Sequence, residues 1–596
     1  MSQHAGGDAI AWRPWDESAF AAARAEGKPV LLTLGATWCH WCHVMDDTAY
    51  SDQRVISLVN SRFIPVRVDV DQRPDISLRY NQGGFPSVAF LTGDGRFLAG
   101  RPYTPSDEMV ALLEQVSSGE ITSAETRAAN PAGSHGHSEG SSGSSSPTNT
   151  VLDSLTGLYD EQFGGFGVEP KQPPWEALRF LLARYSLSGD RLTLAMVERT
   201  LQGMWHGIYD HKDQGFFRYS VSRDWKVPHY EKMLVSNASL AVTCLEAYQV
   251  TRKSIYREAA EGVLNYLMAT LYCPDEGLFF ASQDADEPYY QKSWKDRDAS
   301  PPPPIDHTFY AGWNALAAHT LIFAAGALGS NRYHRLGRAV LQKLWQESWT
   351  PSGGLSRVAG ETENTLPVLA DQVSLLRAWL AHYQATGDPP GLARAVEVAA
   401  VTQRLFGAPE GGCYDTVAPR SFEAAFLPRE QPVLDNGHWA EALQTLELLT
   451  GDSEYGKQAG ATLAAFDAVV PGRSYLGGHA SRRMEEDEEA LFLPAGSAWG
   501  RAKDMQTCGP VRLVLVGDSS TGEYRRLLRA ALRVYAPHRV ILPLDISRDP
   551  EMVHALGFPP RREAALYACM GDRCLAPITA PREVQAMARS RPWATV

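Results

Sequence analysis

Cys39 and Cys42 have the clearest chemical placement in this chain. They enclose His40 and Trp41 in a Cys-His-Trp-Cys motif that follows an apolar strand and opens a predicted helix. At a helix N-terminus, unpaired amide groups and the positive end of the helix dipole stabilise a thiolate over a thiol. We predict that Cys39 attacks a disulfide and Cys42 resolves the mixed disulfide. His40, which adds positive charge, and Trp41 are predicted to contact the substrate.

Three other interpretations of the motif stay open. Cys39 to His43 also matches the attachment pattern of c-type haem, which requires export and an axial ligand. A zinc site would need a second ligand pair at finger spacing, which the sequence does not offer. The third interpretation is a purely structural pair of thiols. The position of the motif favours redox exchange, which needs no metal and no cofactor.

Gly83-Gly84-Phe85-Pro86 stands just before a predicted strand at 87–92. A proline here fits a cis peptide in a tight turn opposite the dithiol, with neighbouring backbone groups free to pair with an extended substrate. An ordinary trans turn is the alternative. We predict that Pro86 shapes the substrate groove.

A second polar cluster lies near the middle of the chain. If residues 227–232 are extended, His229 and Glu231 point to one face, and Asp284 and Asp286 share a face in the same way. We predict these four as catalytic groups. The other predicted ligand-binding residues are His211, Arg218, Trp225, Lys232, Asp306, Trp313, Asn314 and Asp371.

Two chemistries suit the second cluster. A glycoside hydrolase needs one protonated and one ionised carboxyl group beside the glycosidic bond, with aromatic platforms for the sugar rings. An epimerase or isomerase needs a base and an acid on either side of an acidic carbon. The alternative is that these polar groups only hydrogen-bond the loops around them.

The elements that position the dithiol form a small α/β unit, predicted over residues 1–127. Strands alternate with helices and end in a short strand pair, which indicates a single sheet. Apolar runs place the strands at 29–34, 63–70, 87–92 and 95–100, and the last helix at 105–116. Residues 128–150 are predicted to be a Gly/Ser-rich linker.

Residues 151–505 are predicted to be all-helical, because apolar residues recur with the period of amphipathic helices. Glycine turns beside aromatic or apolar residues punctuate the region at 164–167, 215–217, 277–280, 353–355, 411–414 and 476–478. These turns predict six helical hairpins, which close into an (α/α)6 toroid with the second cluster at its mouth. An open helical solenoid is the alternative.

Residues 506–596 are predicted to be a small C-terminal α/β unit. It contains Cys569 and Cys574, which are either packing residues or a secondary thiol pair that exchanges with the first. The sequence does not decide between a separate domain and a cap on the toroid.

Composition narrows the class of protein. The net charge is −13, with 69 acidic against 56 basic side chains, which argues against nucleic-acid binding. No uninterrupted run of 18 apolar residues occurs, and the first dozen residues lack the features of a secretory signal. We therefore expect a cytoplasmic protein that does not bind membranes.

Several motifs resemble one family. GATWCHWCHVM, VDVDQRPD and GGFPSVAFL, and later GGFGVEPK, GIYDHKDQGFFRYSVSRDWKVPHYEKML and SQDAD, are similar to the spermatogenesis-associated thioredoxin-like proteins and their bacterial relatives. The resemblance covers nearly the whole chain. It implies a thioredoxin fold joined to a toroid similar to the glycosidase and N-acylglucosamine 2-epimerase class, and it leaves the activity unsettled.

We therefore predict a multidomain α/β plus all-α protein: a thioredoxin-like fold, an (α/α)6 toroid and a small C-terminal α/β unit. The predicted function is thiol–disulfide exchange, with a disulfide-containing protein or a small thiol as substrate and a possible sugar ligand in the toroid. The alternatives are a sugar-modifying enzyme with a regulatory thioredoxin-like domain, and a non-catalytic binding scaffold. If the dithiol faces the toroid mouth, the two sites form one centre.

Overall fold

The structure, a computed structural model, describes residues 9–121, 146–361, 366–467, 470 and 486–594. Most of the predicted linker and the glycine turn at 476–478 lie outside the described residues.

The N-terminal unit is a four-stranded sheet in the order β2-β1-β3-β4, with helices on both faces. Its elements are α1 (Glu17–Glu26), β1 (Val30–Gly35), α2 (His40–Asp47), α3 (Gln53–Arg62), β2 (Ile64–Asp69), α4 (Pro74–Tyr80), β3 (Ser87–Leu91), β4 (Phe97–Arg101) and α5 (Ser106–Ser118). β1 pairs parallel with β2 and antiparallel with β3. This confirms the predicted thioredoxin-like fold. β1 is apolar except for the buried Thr33, which hydrogen-bonds Tyr50, because both faces of the sheet are covered.

The helical domain is built from outer and inner helices that alternate along the chain. The outer helices are α6 (Pro147–Leu158), α8 (Arg191–Gly207), α10 (Ser254–Tyr266), α14 (Asn331–Glu347), α16 (Pro389–Phe406) and α18 (Ser453–Ala465). The inner helices are α7 (Trp175–Ser188), α9 (Leu234–Thr251), α13 (Ala311–Leu328), α15 (Leu369–Thr386), α17 (Val433–Thr450) and α19 (Glu486–Cys508). Two short helices, α11 (Glu287–Tyr290) and α12 (Trp294–Asp298), lie in the connection before α13.

Short strands join these helices. They are β5 (Tyr219–Ser220), β6 (Pro228–His229), β7 (Lys232–Met233), β8 (Tyr272–Cys273), β9 (Leu278–Phe279), β10 (Ser282–Gln283), β11 (Ile305–Asp306), β12 (Trp349–Thr350) and β13 (Gly354–Leu355). Most form two-stranded hairpins, and β7, β10 and β11 form a three-stranded sheet.

The inner helices form a closed ring. Each packs against the next, and α19 packs against α7, which confirms the toroid over the open solenoid. By length and composition alone α13 could cross a membrane, but 67% of it is buried inside the ring. Its apolar character is that of a core helix enclosed by neighbours on both sides.

The glycine turns are fastened by amide side chains of the inner helices. The fourth residue of α9, α13, α15 and α17 is an Asn or Gln: Asn237, Asn314, Gln372 and Asn436. Each amide accepts a backbone N–H and donates to a backbone C=O of one turn residue. The same pair of hydrogen bonds thus recurs at each of these glycine turns, and we call it the turn lock.

We expect Asn436→Ala to lower the free energy of unfolding by about 3 kcal/mol, because it leaves the buried N–H and C=O of Cys413 without partners. Denaturant titration of the full chain measures this. Asn265→Ala, at an exposed position of α10, is the control and should change stability by less than about 0.5 kcal/mol. Equal effects of the two substitutions would show that the lock adds nothing.

The C-terminal unit repeats the topology of the N-terminal one. Its elements are β14 (Val511–Gly517), α20 (Gly522–Leu532), β15 (Val540–Asp545), α21 (Pro550–Ala555), β16 (Ala565–Met570), β17 (Arg573–Cys574) and α22 (Pro581–Ser590). The sheet order is β15-β14-β16-β17, with β14 parallel to β15 and antiparallel to β16. The unit is therefore a second thioredoxin-like sheet.

This second sheet lacks the redox residues of the first. Thr521 occupies the position of Cys39 and caps α20 by accepting the N–H of Tyr524 at 3.2 Å. By strand register, Ala564 stands where the first unit has Pro86. The C-terminal unit is thus a thioredoxin-like repeat without a dithiol at the helix start.

The two α/β units cap opposite ends of the toroid. The N-terminal unit packs on Met233 and Trp313, where α9 and α13 begin. The C-terminal unit contacts the helix ends: Leu532 accepts from Gln249 of α9, and the N–H of Ile541 donates to Gln384 of α15. The C-terminal unit is therefore a cap, which answers the question left open by the sequence.

Two predicted boundaries shift. α6 begins at Pro147, inside the predicted linker 128–150, because proline is well suited to the first turn of a helix. α19 continues to Cys508, so the C-terminal unit begins with β14 rather than at residue 506.

Candidate functional site

The Cys39–Cys42 pair lies at the start of α2. The two residues are joined in a disulfide, with their Cα atoms 5.2 Å apart. Cys39 is the N-cap of α2, and its Sγ accepts the N–H of Cys42 at 3.2 Å. The same N–H would stabilise a thiolate at Cys39 in the reduced protein.

Trp38 and the Phe85–Pro86 turn lie beside the dithiol. Trp38 donates from Nε1 to Asp71 Oδ2 at 2.6 Å and packs edge-on against Phe85, with ring centroids 6.3 Å apart. The Phe85–Pro86 peptide is cis, as predicted. Only 4% of Cys39 is exposed, so access to its sulfur is restricted.

The toroid mouth covers this face of the N-terminal unit. His43, in the first turns of α2, lies 3.5 Å from Asp284 Oδ2 of the toroid, measured from its Nδ1. The guanidinium of Arg218 stacks 4.0 Å above the ring of Trp38, directly before Cys39 in the chain. The dithiol therefore faces the second polar cluster, and the two sites lie against each other.

Further contacts hold the mouth to the end of β2. Arg357 donates from Nε to the carbonyl of Asp71 at 2.7 Å and from Nη1 to Asp371 at 2.6 Å. The hydroxyl of Tyr310 donates to Asp69 Oδ1 at 3.3 Å. Arg357 thus connects a predicted ligand-binding residue, Asp371, to the loop that supports Trp38.

A second anchor lies away from the dithiol. The buried carboxylate of Glu423, in the loop before α17, accepts from Trp15 Nε1 at 2.9 Å and from Arg73 Nη2 at 2.8 Å. Phe426 packs against Trp15 and Phe20. Two chain segments about 400 residues apart in sequence are thereby fixed together.

Carboxyl groups crowd the centre. Burial, followed by the nearby Glu231, Asp286 and Asp306, raises the pKa of Asp284 to about 7. Burial and the charge of Asp71 likewise raise the pKa of Asp69 to about 7. Carboxyl groups that exchange protons near neutral pH are common in functional sites.

We expect Asp284→Asn to stabilise the protein by about 4 kcal/mol at pH 8 and to have little effect at pH 4. The unfolded carboxyl ionises near its ordinary pKa of 3.8 and the folded one near 7, so wild-type stability falls as the pH rises from about 4 to about 7. Unfolding measured across this range checks the slope. Asp275→Asn, at an exposed position, is the control, and a destabilised Asp284→Asn at pH 8 would refute the sign.

His229 and Glu231 are brought together as predicted. Their side chains form a short hydrogen bond from His229 Nδ1 to Glu231 Oε2, and His229 stacks on Tyr219 with centroids 4.8 Å apart. The other oxygen of Glu231 is buried and has no hydrogen-bond partner among the residues that the structure describes. The two groups are bonded to each other, and this arrangement does not place an acid and a base on opposite sides of a substrate.

Several predicted ligand-binding residues instead hold the toroid together. Lys232 donates to Asp210 at 2.7 Å, and Asn314 is one of the turn locks. Trp225 is fully buried and donates from Nε1 to a backbone carbonyl at 3.1 Å. Asp286, which was predicted to be catalytic, instead caps α11 by accepting the N–H of Tyr289. Polar residues near a mouth also have to satisfy its loops, so these predictions need correction.

The other predicted residues divide between the centre and its rim. Asp306 is buried at the centre and accepts from Thr308, and Trp313 packs on the core of the N-terminal unit. His211 is exposed and bonded to the carbonyl of Trp205 at 2.9 Å, as part of a loop. His40 packs edge-on against Trp41, which is 46% exposed and packs against Tyr103.

Sequence reasoning missed His43, Asp69, Asp71 and Glu423. Asp69 and Asp71 belong to the quoted VDVDQRPD segment at the end of β2, so their position at the carboxyl end of a strand beside the dithiol was a usable signal. No feature of the sequence pointed to Glu423, because its partners Trp15 and Arg73 come close to it only when the N-terminal unit packs on the toroid.

Cys569 and Cys574 form a disulfide between the paired strands β16 and β17. The C-terminal unit caps the end of the toroid opposite to the dithiol. Direct exchange between the two pairs within one molecule is therefore excluded.

The chain is similar to several known proteins. Residues 1–123 match the family Thioredox_DsbH, described as a protein of unknown function, DUF255. Spermatogenesis-associated protein 20 of Homo sapiens is 25% identical over 97% of this chain and 89% of its own length. The thiol:disulfide interchange protein DsbD of Escherichia coli K12 is 32% identical over 84 residues, which are 14% of this chain and 15% of that protein.

Among solved structures, a cellobiose 2-epimerase from Bacillus thermoamylovorans aligns with a TM-score of 0.46 at 10% identity. The alignment covers 59% of this chain and 97% of the epimerase.

Proposed function

We propose that this chain, a homologue of spermatogenesis-associated protein 20 with a DsbH- and DsbD-like thioredoxin domain, is a thiol–disulfide oxidoreductase whose dithiol works in a cleft closed by the toroid. The observation that carries the proposal is the position of Cys39 at the N-cap of α2, with Cys42 bonded to it. The similarity of the N-terminal unit to the thiol:disulfide interchange protein DsbD supports the same chemistry.

The reaction follows from this geometry. The Cys39 thiolate attacks one sulfur of a substrate disulfide and releases the other half as a thiolate, which takes up a proton. The Cys42 thiolate then attacks Cys39 Sγ, forms the Cys39–Cys42 disulfide and releases the second half. The substrate gains two electrons and the dithiol loses two. The reverse sequence oxidises a dithiol substrate.

The covered position of Cys39 limits the substrate. Only 4% of Cys39 is exposed, so the surface of a folded protein cannot reach its sulfur. A small disulfide or an extended segment can enter a narrow cleft. Arg218 at the cleft adds a cation among the carboxyl groups of the centre, and it could pair with a single carboxylate of the substrate.

Oxidised glutathione tests the proposal, because it is a small anionic disulfide. Mixed with the reduced full chain, it should yield the Cys39–Cys42 disulfide and free glutathione, measured by mass spectrometry of the trapped protein. Cys508→Ser removes an exposed free thiol and should leave the yield unchanged. A dithiol that stays reduced, with glutathione attached only at Cys508, would contradict the proposal.

A sugar-modifying reaction in the toroid is the second candidate, but no specific contact favours it. The mouth is covered by the N-terminal unit, and Lys232 and Asn314 are occupied by loop contacts. A rise in the melting temperature of the full chain on adding a sugar would support this second function.

A further inference from the structure

A second polar site lies inside the toroid, near the C-terminal cap. A cavity of about 190 Å³ is lined by all six inner helices and by residues 532–541 of the C-terminal unit. This is room for about ten water molecules, far more than a packing defect. The dithiol lies at the other end of the ring, so the cavity is separate from the proposed redox centre.

Charged side chains from distant parts of the chain meet in this cavity. Arg179 forms a two-pronged ion pair with Glu246, with both N–O distances 3.0 Å. Arg501 bridges Glu176 at 2.7 Å and Glu441 at 2.9 Å. These contacts pair each of the three carboxylates with an arginine.

Arg377 is different. It lines the cavity, yet it makes no hydrogen bond or ion pair within the described part of the chain. Burial and the neighbouring Arg179 lower the pKa of Arg377 to about 10, so it stays charged at neutral pH. Glu441 and Glu176 attract the Arg377 guanidinium from beyond ion-pair distance, and the residue is only partly buried, at the wall of the cavity.

The charge count leaves one cation over. Arg179, Arg377, Arg501 and Arg539 oppose Glu176, Glu246 and Glu441. Burial lowers the pKa of the nearby histidines, of His438 to about 4, so that they are neutral near pH 7. The lining thus has one more arginine than carboxylate, while Asp435, whose pKa burial raises to about 7, lies near Arg377 outside the lining.

Neutral polar groups also lack partners here. Nδ1 of His319 and Nε2 of His538 are buried and make no hydrogen bond to any described part of the chain, and both residues line the cavity. A ligand with an uncharged polar group could satisfy them. A planar guanidinium matches a carboxylate with two parallel hydrogen bonds.

We propose that the cavity binds a small monocarboxylic acid, whose carboxylate pairs with Arg377 and whose hydroxyl or keto oxygen meets His319 or His538. The single excess charge favours a monoanion over a phosphate dianion.

Isothermal titration of the full chain with L-lactate, propionate and inorganic phosphate tests the proposal. We expect one lactate per chain, with tighter binding than propionate and than phosphate, and at least about tenfold weaker binding in Arg377→Gln. Arg335→Gln, at an exposed position of the outer helix α14, should bind like the wild type. If Arg377→Gln does not fold, Arg377→Lys is measured instead. It keeps the positive charge but loses the two parallel N–H donors of the guanidinium, so it should also bind lactate more weakly.

Three results would overturn the proposal. One is no saturable binding of either carboxylate up to about 20 mM. Another is unchanged lactate affinity in the Arg377 variant that folds. The third is phosphate or propionate binding as tightly as lactate, because the cavity would then not select a hydroxylated monoanion. None of these readouts depends on thiol exchange, so the result is independent of the proposed redox function.

Discussion

Cys39→Ser is expected to lose thiol–disulfide exchange with oxidised glutathione by on the order of 1,000-fold or more, because the attacking sulfur is gone. Cys42→Ser should instead keep the first step and accumulate glutathione bound to Cys39, since nothing resolves the mixed disulfide. Intact-mass spectrometry after a timed acid quench distinguishes the two products.

The matched control is Cys508→Ser, which removes an exposed thiol elsewhere and should exchange like the wild type. The assignment of roles would be reversed if Cys39→Ser accumulated the mixed disulfide at Cys42. Full exchange in both single variants would exclude this motif as the reacting pair.

Glu423→Ala is expected to loosen the contact between the N-terminal unit and the toroid. The substitution leaves Trp15 Nε1 without its acceptor and removes one of the two carboxylates that pair with Arg73. The free energy of unfolding should therefore fall by about 3 kcal/mol. Cys39 should then react with iodoacetamide several-fold faster in the reduced protein, because the toroid no longer covers it.

Denaturant titration and the alkylation rate are measured on the same preparations. Glu258→Ala, at an exposed position of α10, should change neither quantity. If Glu423→Ala lost stability without any gain in alkylation rate, docking of the toroid would not be what restricts Cys39.

The dithiol was predictable from sequence because its geometry is local. Cys39 and Cys42 lie within one helical turn directly after β1, and a strand followed by a helix places the first cysteine at the helix N-terminus. The cis Phe85–Pro86 peptide was predictable for the same reason, since the turn precedes β3.

The toroid side of the centre was only partly predictable. Arg218 and Asp284 were identified as polar residues near loops, but their contacts with Trp38 and His43 depend on how two units dock. Asn314 was misassigned because a loop-fastening amide and a ligand-binding amide look alike in a sequence.

Three of the cavity residues share one position in the repeated helices. His319, Arg377 and Glu441 are each the ninth residue of their inner helix. Equal positions in successive inner helices lie at equal depth in the ring. A repeat-by-repeat alignment of the six hairpins would have brought them together, whereas a search for polar runs could not.

The thioredoxin-like form of the C-terminal unit was also hidden in the sequence. The strand pattern indicated only a small α/β unit, because Thr521 and Tyr524 replace the two cysteines. Strand register, rather than motif, reveals the repeat.

The most direct test of a shared centre is the reactivity of Cys39 in Arg218→Gln, which changes only the toroid. We measure the iodoacetamide rate of the reduced protein at pH 7 and at pH 10, where the thiol is fully ionised. The Arg218 cation beside Trp38 favours the Cys39 thiolate. In Arg218→Gln, the ratio of the rate at pH 7 to the rate at pH 10 should therefore fall by about threefold or more. Lys226→Gln, at an exposed position, should leave it unchanged. An unaltered ratio in Arg218→Gln would show that the dithiol and the toroid mouth work separately.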